Sequence, residues 1–344
     1  MKVVYSEDHR QHYPCHFLVS GAPQPSPEVP ERADRLLAAA KAGGHEIVAP
    51  RRYGVGPAAA LHTPEYLQFL EHIVTRWRRI EGASEEVVPN VHAQGRWEMG
   101  YPDSAVGQAG YHMADTACPI SEGTWEAAIA SSEVAVTAAE IVREGERSAY
   151  ALCRPPGHHA YPDMAGGFCF LNNAGIAAQH LRKHVDRVAI LDIDVHHGNG
   201  TQGCFYHRSD VLTVSLHADP ARFYPFFWGH AQERGSGDGI GYNLNIPLAR
   251  GTETPAYLTA LERAAKRIRA FDPQILVIAL GLDPHEDDPL RGLAITTEGF
   301  AEIGSALARF DLPTVLVQEG GYLQDALGDN LSSFLTGFCG APGR

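Results

Sequence analysis

The chain lacks any long hydrophobic run: its longest, "ILVIALGL" at 275–282, is far too short to span a bilayer. Basic residues are scarce, with 28 Lys and Arg against 41 Asp and Glu and a formal charge of -13. Nucleic-acid phosphates need Lys or Arg neutralisation, so this balance argues against such a partner and favours cationic or neutral small molecules. Cysteine is sparse and unpatterned. Cys15, Cys118, Cys153, Cys169, Cys204 and Cys339 contain no C-x-x-C spacing, which argues against a cysteine-held zinc and points to reduced thiols. The start, "MKVVYSEDHRQHY", turns polar after five residues and has no signal-peptide core. A cytoplasmic protein without a membrane partner is expected.

What is present is a chain of 344 residues, 44% hydrophobic and 20% charged, which is enough to bury a large core. Apolar, β-branched runs recur at 2–5, 46–49, 148–153, 187–193, 210–216, 275–282 and 314–318. They do not alternate with polar residues, as expected of strands buried on both faces of a parallel sheet. Helical patterns lie between them, among them "PERADRLLAAAKAGG", which has Pro30 in its first turn and stops at Gly43 and Gly44. The alternation predicts a single α/β domain over 1–344, doubly wound around a central, mostly parallel sheet flanked by helices. Residues 82–122 break the pattern. They are rich in Gly, Pro, His and acids without periodicity, and read as a functional insertion.

Ligands of open α/β sheets bind beyond the carboxyl ends of the strands. Four polar strings fall at such ends: "RPPGHHA" (154–160), "DIDVHHGNG" (192–200), "GLDPHEDDP" (281–289) and "QEGGY" (318–322). In a parallel sheet they share one edge. Asp194 and His196, two apart, would leave a strand on one face, and Asp283 would add a third ligand from another strand. Two carboxylates and one imidazole suit a catalytic Zn²⁺, although non-haem Fe(II) has similar preferences. Hydrolysis also needs a proton carrier and an oxyanion donor. His158 and His159 suit the first role, and Tyr322, after the flexible pair Gly320 and Gly321, suits the second. Asp192 would sit behind Asp194 and orient the ligands. Each residue alone has a plain reading as a turn or capping group, but convergence of so many titratable groups does not.

Together "RPPGHHA", "GGFCFLNNAGIAA", "DIDVHHGNGTQ", "SLHADP", "GLDPHEDDP" and "EGGY" resemble the arginase–deacetylase superfamily, in particular its zinc-dependent histone-deacetylase-like amidohydrolases. Length, "YSEDH" and "GQAGY…GTWEAA" make the chain most similar to bacterial acetylpolyamine amidohydrolases. The resemblance implies one zinc on Asp194, His196 and Asp283, with Tyr322 polarising the acetyl carbonyl. His159 would be general base and acid, with His158 as its electrostatic partner. It implies potassium at a near site of Asp192, Asp194, His196, Ser215 and Leu216, and at a remote one of Phe205, Arg208, Val211 and Tyr242. Phe168, Tyr224 and Gly167 would line the substrate tunnel. It also implies a homodimer in which residues 82–122 narrow the neighbouring mouth, and N-acetylated small amines such as acetylpolyamines as substrates.

Three departures stand out. Pro284 follows Asp283 where Thr or Ala is expected, and Tyr224 stands where Phe is common. Val106 and Ala117 occupy positions that are acidic in polyamine-selective relatives, with Asp103 and Asp115 nearby. The expectation is therefore only a weak polyamine preference. Rival readings are a broader amide hydrolase, an acetyl-lysine deacetylase, a manganese ureohydrolase or an inactive metal-binding sensor. Retention of both histidines and Tyr322 argues against the last.

Overall fold

The computed structural model describes residues 1–93 and 99–340. Eight strands form the main sheet: β1 (Lys2–Val4), β4 (Glu46–Val48), β5 (Ser148–Ala151), β6 (Val188–Asp192), β7 (Val211–Ala218), β8 (Asn243–Leu248), β9 (Ile275–Leu280) and β10 (Thr314–Gln318). Their order is β4-β1-β5-β10-β9-β6-β7-β8, and every pairing is parallel. All seven apolar runs named from sequence are strands here. A two-stranded antiparallel hairpin, β2 (His16–Val19) with β3 (Ala22–Pro25), stands apart.

Alternate strand residues feed two cores. Leu191, Leu212, Val214, Ile278, Leu280 and Leu316 face the helices Pro30–Ala42, Thr254–Phe271, Thr297–Ala308 and Leu327–Gly340. Val188, Ile190, Val277, Ala279, Val315 and Val317 face the helices Thr124–Arg143 and Asn173–Leu181. Burial on both faces is why these strands read as continuous apolar runs. A third cluster joins Pro64–Trp77 to the 82–122 segment through Val87, Ala109, Met113, Cys118 and Ile120. That segment is less irregular than its composition suggests, since it holds the helix Ala105–His112 and a Val87–Ile120 bridge. Its residues 94–98 lie outside the described residues.

The sheet order positions the site. β5, β10, β9 and β6 are consecutive neighbours, so the four polar strings leave adjacent strands at one edge. No described helix is long and apolar enough to cross a membrane. All six cysteines are free.

Candidate active site

Asp194 and His196 are not on the strand. β6 ends at Asp192 and the chain bends, which corrects the idea that strand periodicity brings them together. The bend is closed instead by Asp194 Oδ1, which accepts the His196 N–H at 2.9 Å, an Asp-stabilised turn. Asp283 arrives three residues beyond β9. Its Oδ2 lies 3.2 Å from His196 Nδ1, and Asp194 Oδ1 lies 3.1 Å from the same nitrogen. Ligand atoms of all three side chains fall within 4.8 Å of one another, and all three are buried. Pro284 leaves this intact, because the Asp283 side chain makes the contact while the Pro284 carbonyl accepts from Ile295 N–H at 3.0 Å.

The surroundings test whether a cation belongs there. Asp194 Oδ2 accepts the Gly320 N–H at 2.7 Å and Asp283 Oδ1 accepts the Val195 N–H at 3.1 Å. Asp283 Oδ2 is buried with no hydrogen-bond partner. Burial, then the Asp194 charge, push the Asp283 carboxyl up to about 7. Burial opposes a charged His196, but the close approach of the Asp194 and Asp283 carboxylates outweighs this and raises it to about 9. Two carboxylates therefore compete for one imidazole, and a divalent ion would satisfy all three. The backbone leaves room for such a cradle. A Cβ at Gly281 would stand 2.4 Å from Asp194 Oδ2, and one at Gly320 2.2 Å from Asp283 Oδ2.

The histidine pair is differentiated. Its rings lie 4.0 Å apart. His158 Nδ1 is 2.9 Å from Asp192 Oδ2, and its Nε2 is 3.8 Å from Asp194 Oδ1. Burial works against a charge on His158, yet Asp192 and Asp194 hold its pKa well above the ordinary value. His159 donates Nδ1–H to Asn199 Oδ1 at 2.6 Å. Burial first, then the neighbouring His158 and His196, drive its pKa well below the ordinary value. One imidazole is kept charged and the other neutral, and among the described residues the neutral ring hydrogen-bonds through Nδ1, leaving its Nε2 lone pair unused. Asp192 does stand behind the group, since its Oδ1 also accepts the Asp194 N–H at 3.0 Å.

Tyr322 is buried, and burial holds its hydroxyl protonated far above neutral pH. Its N–H donates to Asp288 Oδ2 at 2.9 Å, and the Arg32 guanidinium lies 4.7 Å from its ring centroid. Arg32 in turn donates to the carbonyls of Gly321 at 2.5 Å and Glu319 at 2.8 Å. The two glycines before Tyr322 have packing reasons rather than flexibility: Gly320 abuts the carboxylates and Gly321 has φ +112°. Phe168 lies 5.9 Å from Tyr322, and the Tyr224 ring lies edge-on to His159 at 4.9 Å. Gly167, φ +48°, admits this approach, because a Cβ there would meet His159 at 2.5 Å and the Tyr224 hydroxyl at 2.7 Å.

Of the residues assigned to monovalent ions, Asp192 pairs with Ser215 across β6 and β7, next to Leu216. In the remote group the Phe205 carbonyl accepts from Arg208 N–H and the Tyr242 carbonyl from Thr213 N–H, each at 3.0 Å, two residues into the strand that Val211 opens. Sequence reasoning missed Asn199, Arg32, Asp288, Glu319 and Phe223, which stacks on His196 at 5.0 Å. Asn199 lies within the "DIDVHHGNG" string and was legible there. Arg32 is a charge on the buried face of an amphipathic helix, which a helical projection exposes.

A fully parallel, doubly wound sheet with paired histidines facing an Asp–His–Asp group beyond its middle strands defines a hydrolase of the arginase–deacetylase type. Comparison with known proteins makes the assignment specific. The histone deacetylase domain matches residues 26–338. Acetylpolyamine amidohydrolase from Burkholderia pseudomallei (strain 1710b) is 45% identical, covering 98% of each chain. Acetylpolyamine amidohydrolase 1 from Pseudomonas aeruginosa is 46% identical over 99% of each. A crystal structure of the acetylpolyamine aminohydrolase from Burkholderia pseudomallei superposes with a TM-score of 0.95 over 98% of both chains, at 45% identity. The chain belongs to the histone deacetylase family and is a hydrolase, a deacetylase acting on amides.

Proposed function

We propose that this deacetylase is zinc-dependent and removes acetyl groups from acetylated polyamines and similar small amines. The observation that carries the reading is the orphaned, buried Asp283 Oδ2 beside Asp194 and His196, faced by a neutral His159. When bound by Asp194, His196 and Asp283, Zn²⁺ supplies a Lewis acid and lowers the pKa of water at the site. His159 takes the proton of the attacking water on Nε2 and passes it to the departing amine. The Asn199 contact keeps the other proton on Nδ1, so this lone pair stays available. His158, charged through Asp192, stabilises the negative charge that builds during attack. Tyr322 donates its hydroxyl proton in a hydrogen bond to the oxyanion, and Arg32 holds the Tyr322 segment through the Gly321 and Glu319 carbonyls. Phe168 and Tyr224 exclude water around the acyl chain. The names of the relatives support acetylpolyamines as the substrate class.

The proposal extends to one catalytic domain over 1–344, to potassium at the two groups named above, and to a cytoplasmic homodimer whose 82–122 segments border each other's site. The test combines metal analysis with hydrolysis of an acetyl amide. Tyr322→Phe is expected to keep its metal while kcat falls by roughly 10²–10³, the usual cost of one oxyanion donor. Unchanged turnover removes Tyr322 from the mechanism. Absence of turnover in the metal-loaded wild type overturns the deacetylase mechanism proposed here.

A further inference from the structure

The resemblance drawn from the sequence implies acids at 106 and 117, where this chain has Val106 and Ala117, and sequence alone therefore points to weak selection of cations. The structure supplies a different carboxylate. Asp115 Oδ2 accepts the Tyr224 hydroxyl at 2.6 Å, and Asp115 Oδ1 accepts the Ala117 N–H at 2.8 Å. The Gly167 N–H adds longer contacts of 3.4 and 3.3 Å to the two oxygens. Every one of these donors is neutral, so the negative charge of Asp115 is held in place without being cancelled. Its anchor residues are the tunnel walls themselves. Tyr224 lies edge-on to His159, and Gly167 precedes Phe168, whose φ of +68° is unusual for a residue with a side chain. The extra hydroxyl of Tyr224, out of place on an apolar wall, is accounted for by this bond.

Asp115 and Tyr224 also border a cavity of about 600 Å³ whose outer wall is aromatic. Phe226, Phe227 and Trp228 line it and are 51%, 81% and 46% exposed, which leaves ring faces for a cation. A carboxylate with only neutral donors, next to open aromatic faces and one residue layer from His159, is the chemistry that receives an alkylammonium group.

Resting on the deacetylase reading, we propose that Asp115, clamped by Tyr224, is the residue that selects substrates with a cationic amine tail, which would occupy the adjoining aromatic cavity. The measurement is kcat/KM of the metal-loaded enzyme for N-acetylputrescine against a neutral N-alkylacetamide of equal length. The ratio is expected to favour the cation and to fall by roughly 10- to 100-fold in Asp115→Asn, mainly through KM, as for loss of a hydrogen bond to a charged group. Salt raised from about 0.05 to about 0.5 M lowers the wild-type ratio more than that of Asp115→Asn, in which only the general field of the acidic chain and Asp163 remain to be screened. Tyr224→Phe removes the clamp but not the charge, and its ratio stays within about threefold of wild type. A ratio that Asp115→Asn leaves unchanged, or one that Tyr224→Phe lowers as far, overturns the proposal, because Asp115 then only braces the walls. If the wild type hydrolyses neither amide, the deacetylase reading fails separately. Calorimetry with 1,4-diaminobutane then decides: weaker binding to Asp115→Asn supports the site and equal affinity overturns it.

Discussion

Gly320→Ala is the smallest change that tests the metal cradle. The added Cβ would stand 2.2 Å from Asp283 Oδ2 and 2.5 Å from Asp194 Oδ2, against the 3.4 Å at which ordinary contact begins. Both carboxylates must retreat, the nearer by 1.2 Å and the other by 0.9 Å, or the backbone must move with its N–H, which Asp194 Oδ2 accepts at 2.7 Å. Metal–ligand distances tolerate only about ±0.2 Å, and a misplacement of about 1 Å in a catalytic group costs on the order of 10²-fold. The expected result is metal affinity lowered by 10²-fold or more, by chelator competition, and a parallel loss in kcat/KM. Overpacking should cost the apo-protein about 1–3 kcal/mol in denaturant unfolding. Gly328→Ala is the control: its Cβ meets only Ala39 Cβ and Arg35 O at 3.7 Å, in the first turns of the helix Leu327–Gly340. It should be neutral or stabilise by up to about 1 kcal/mol. A Gly320→Ala protein that keeps wild-type metal affinity and turnover would show that these carboxylates are not the ligands, and the reasoning would fail at its first step.

Two further outcomes follow from the histidines. His62 is buried, accepts the Asn172 N–H at 3.0 Å, and has its pKa lowered by burial to about 4. The unfolded chain binds a proton there near pH 6.5 and the folded chain does not. This contribution to stability is therefore complete above about pH 6.5 and is lost as pH falls toward 4, at about 1.4 kcal/mol per pH unit. The apo-protein Tm should drop over this window, and the His62→Gln variant should show a shallower drop. Equal slopes would place the effect elsewhere. Asn199→Asp puts a carboxylate on His159 Nδ1 and raises its proton affinity, so the acidic limb of kcat/KM should move to higher pH at unchanged metal content. An unmoved limb would exclude His159 as the base.

The parts legible in the sequence are those whose information is local. The two-sided cores make β6, β7, β9 and β10 continuous apolar runs, and parallelism then forces "RPPGHHA", "DIDVHHGNG", "GLDPHEDDP" and "QEGGY" to one edge. The strand β8 escaped notice because it is an edge strand, where Asn243 and Asn245 bond to Gln202 and Pro247 costs no ladder bond. The hairpin β2–β3 escaped because its residues are largely exposed and carry no buried pattern.

At the site the same division separates the chemistry from its tuning. Candidate ligands follow from residue types at strand ends, but protonation states do not. His158 and His159 are adjacent and chemically identical in the sequence. Asp192, 34 residues beyond His158, together with Asp194 makes one a cation; burial beside that cation and His196 keeps the other neutral, and Asn199, 40 beyond His159, orients its ring. The placement of Asp115 is more remote still, because the Asp115–Tyr224 bond spans 109 residues and joins two segments that are each unremarkable alone. An acid missing from positions 106 and 117 therefore says little about the field a substrate meets. What matters is where any carboxylate in that segment lies, and Asp115 lies against the Tyr224 wall.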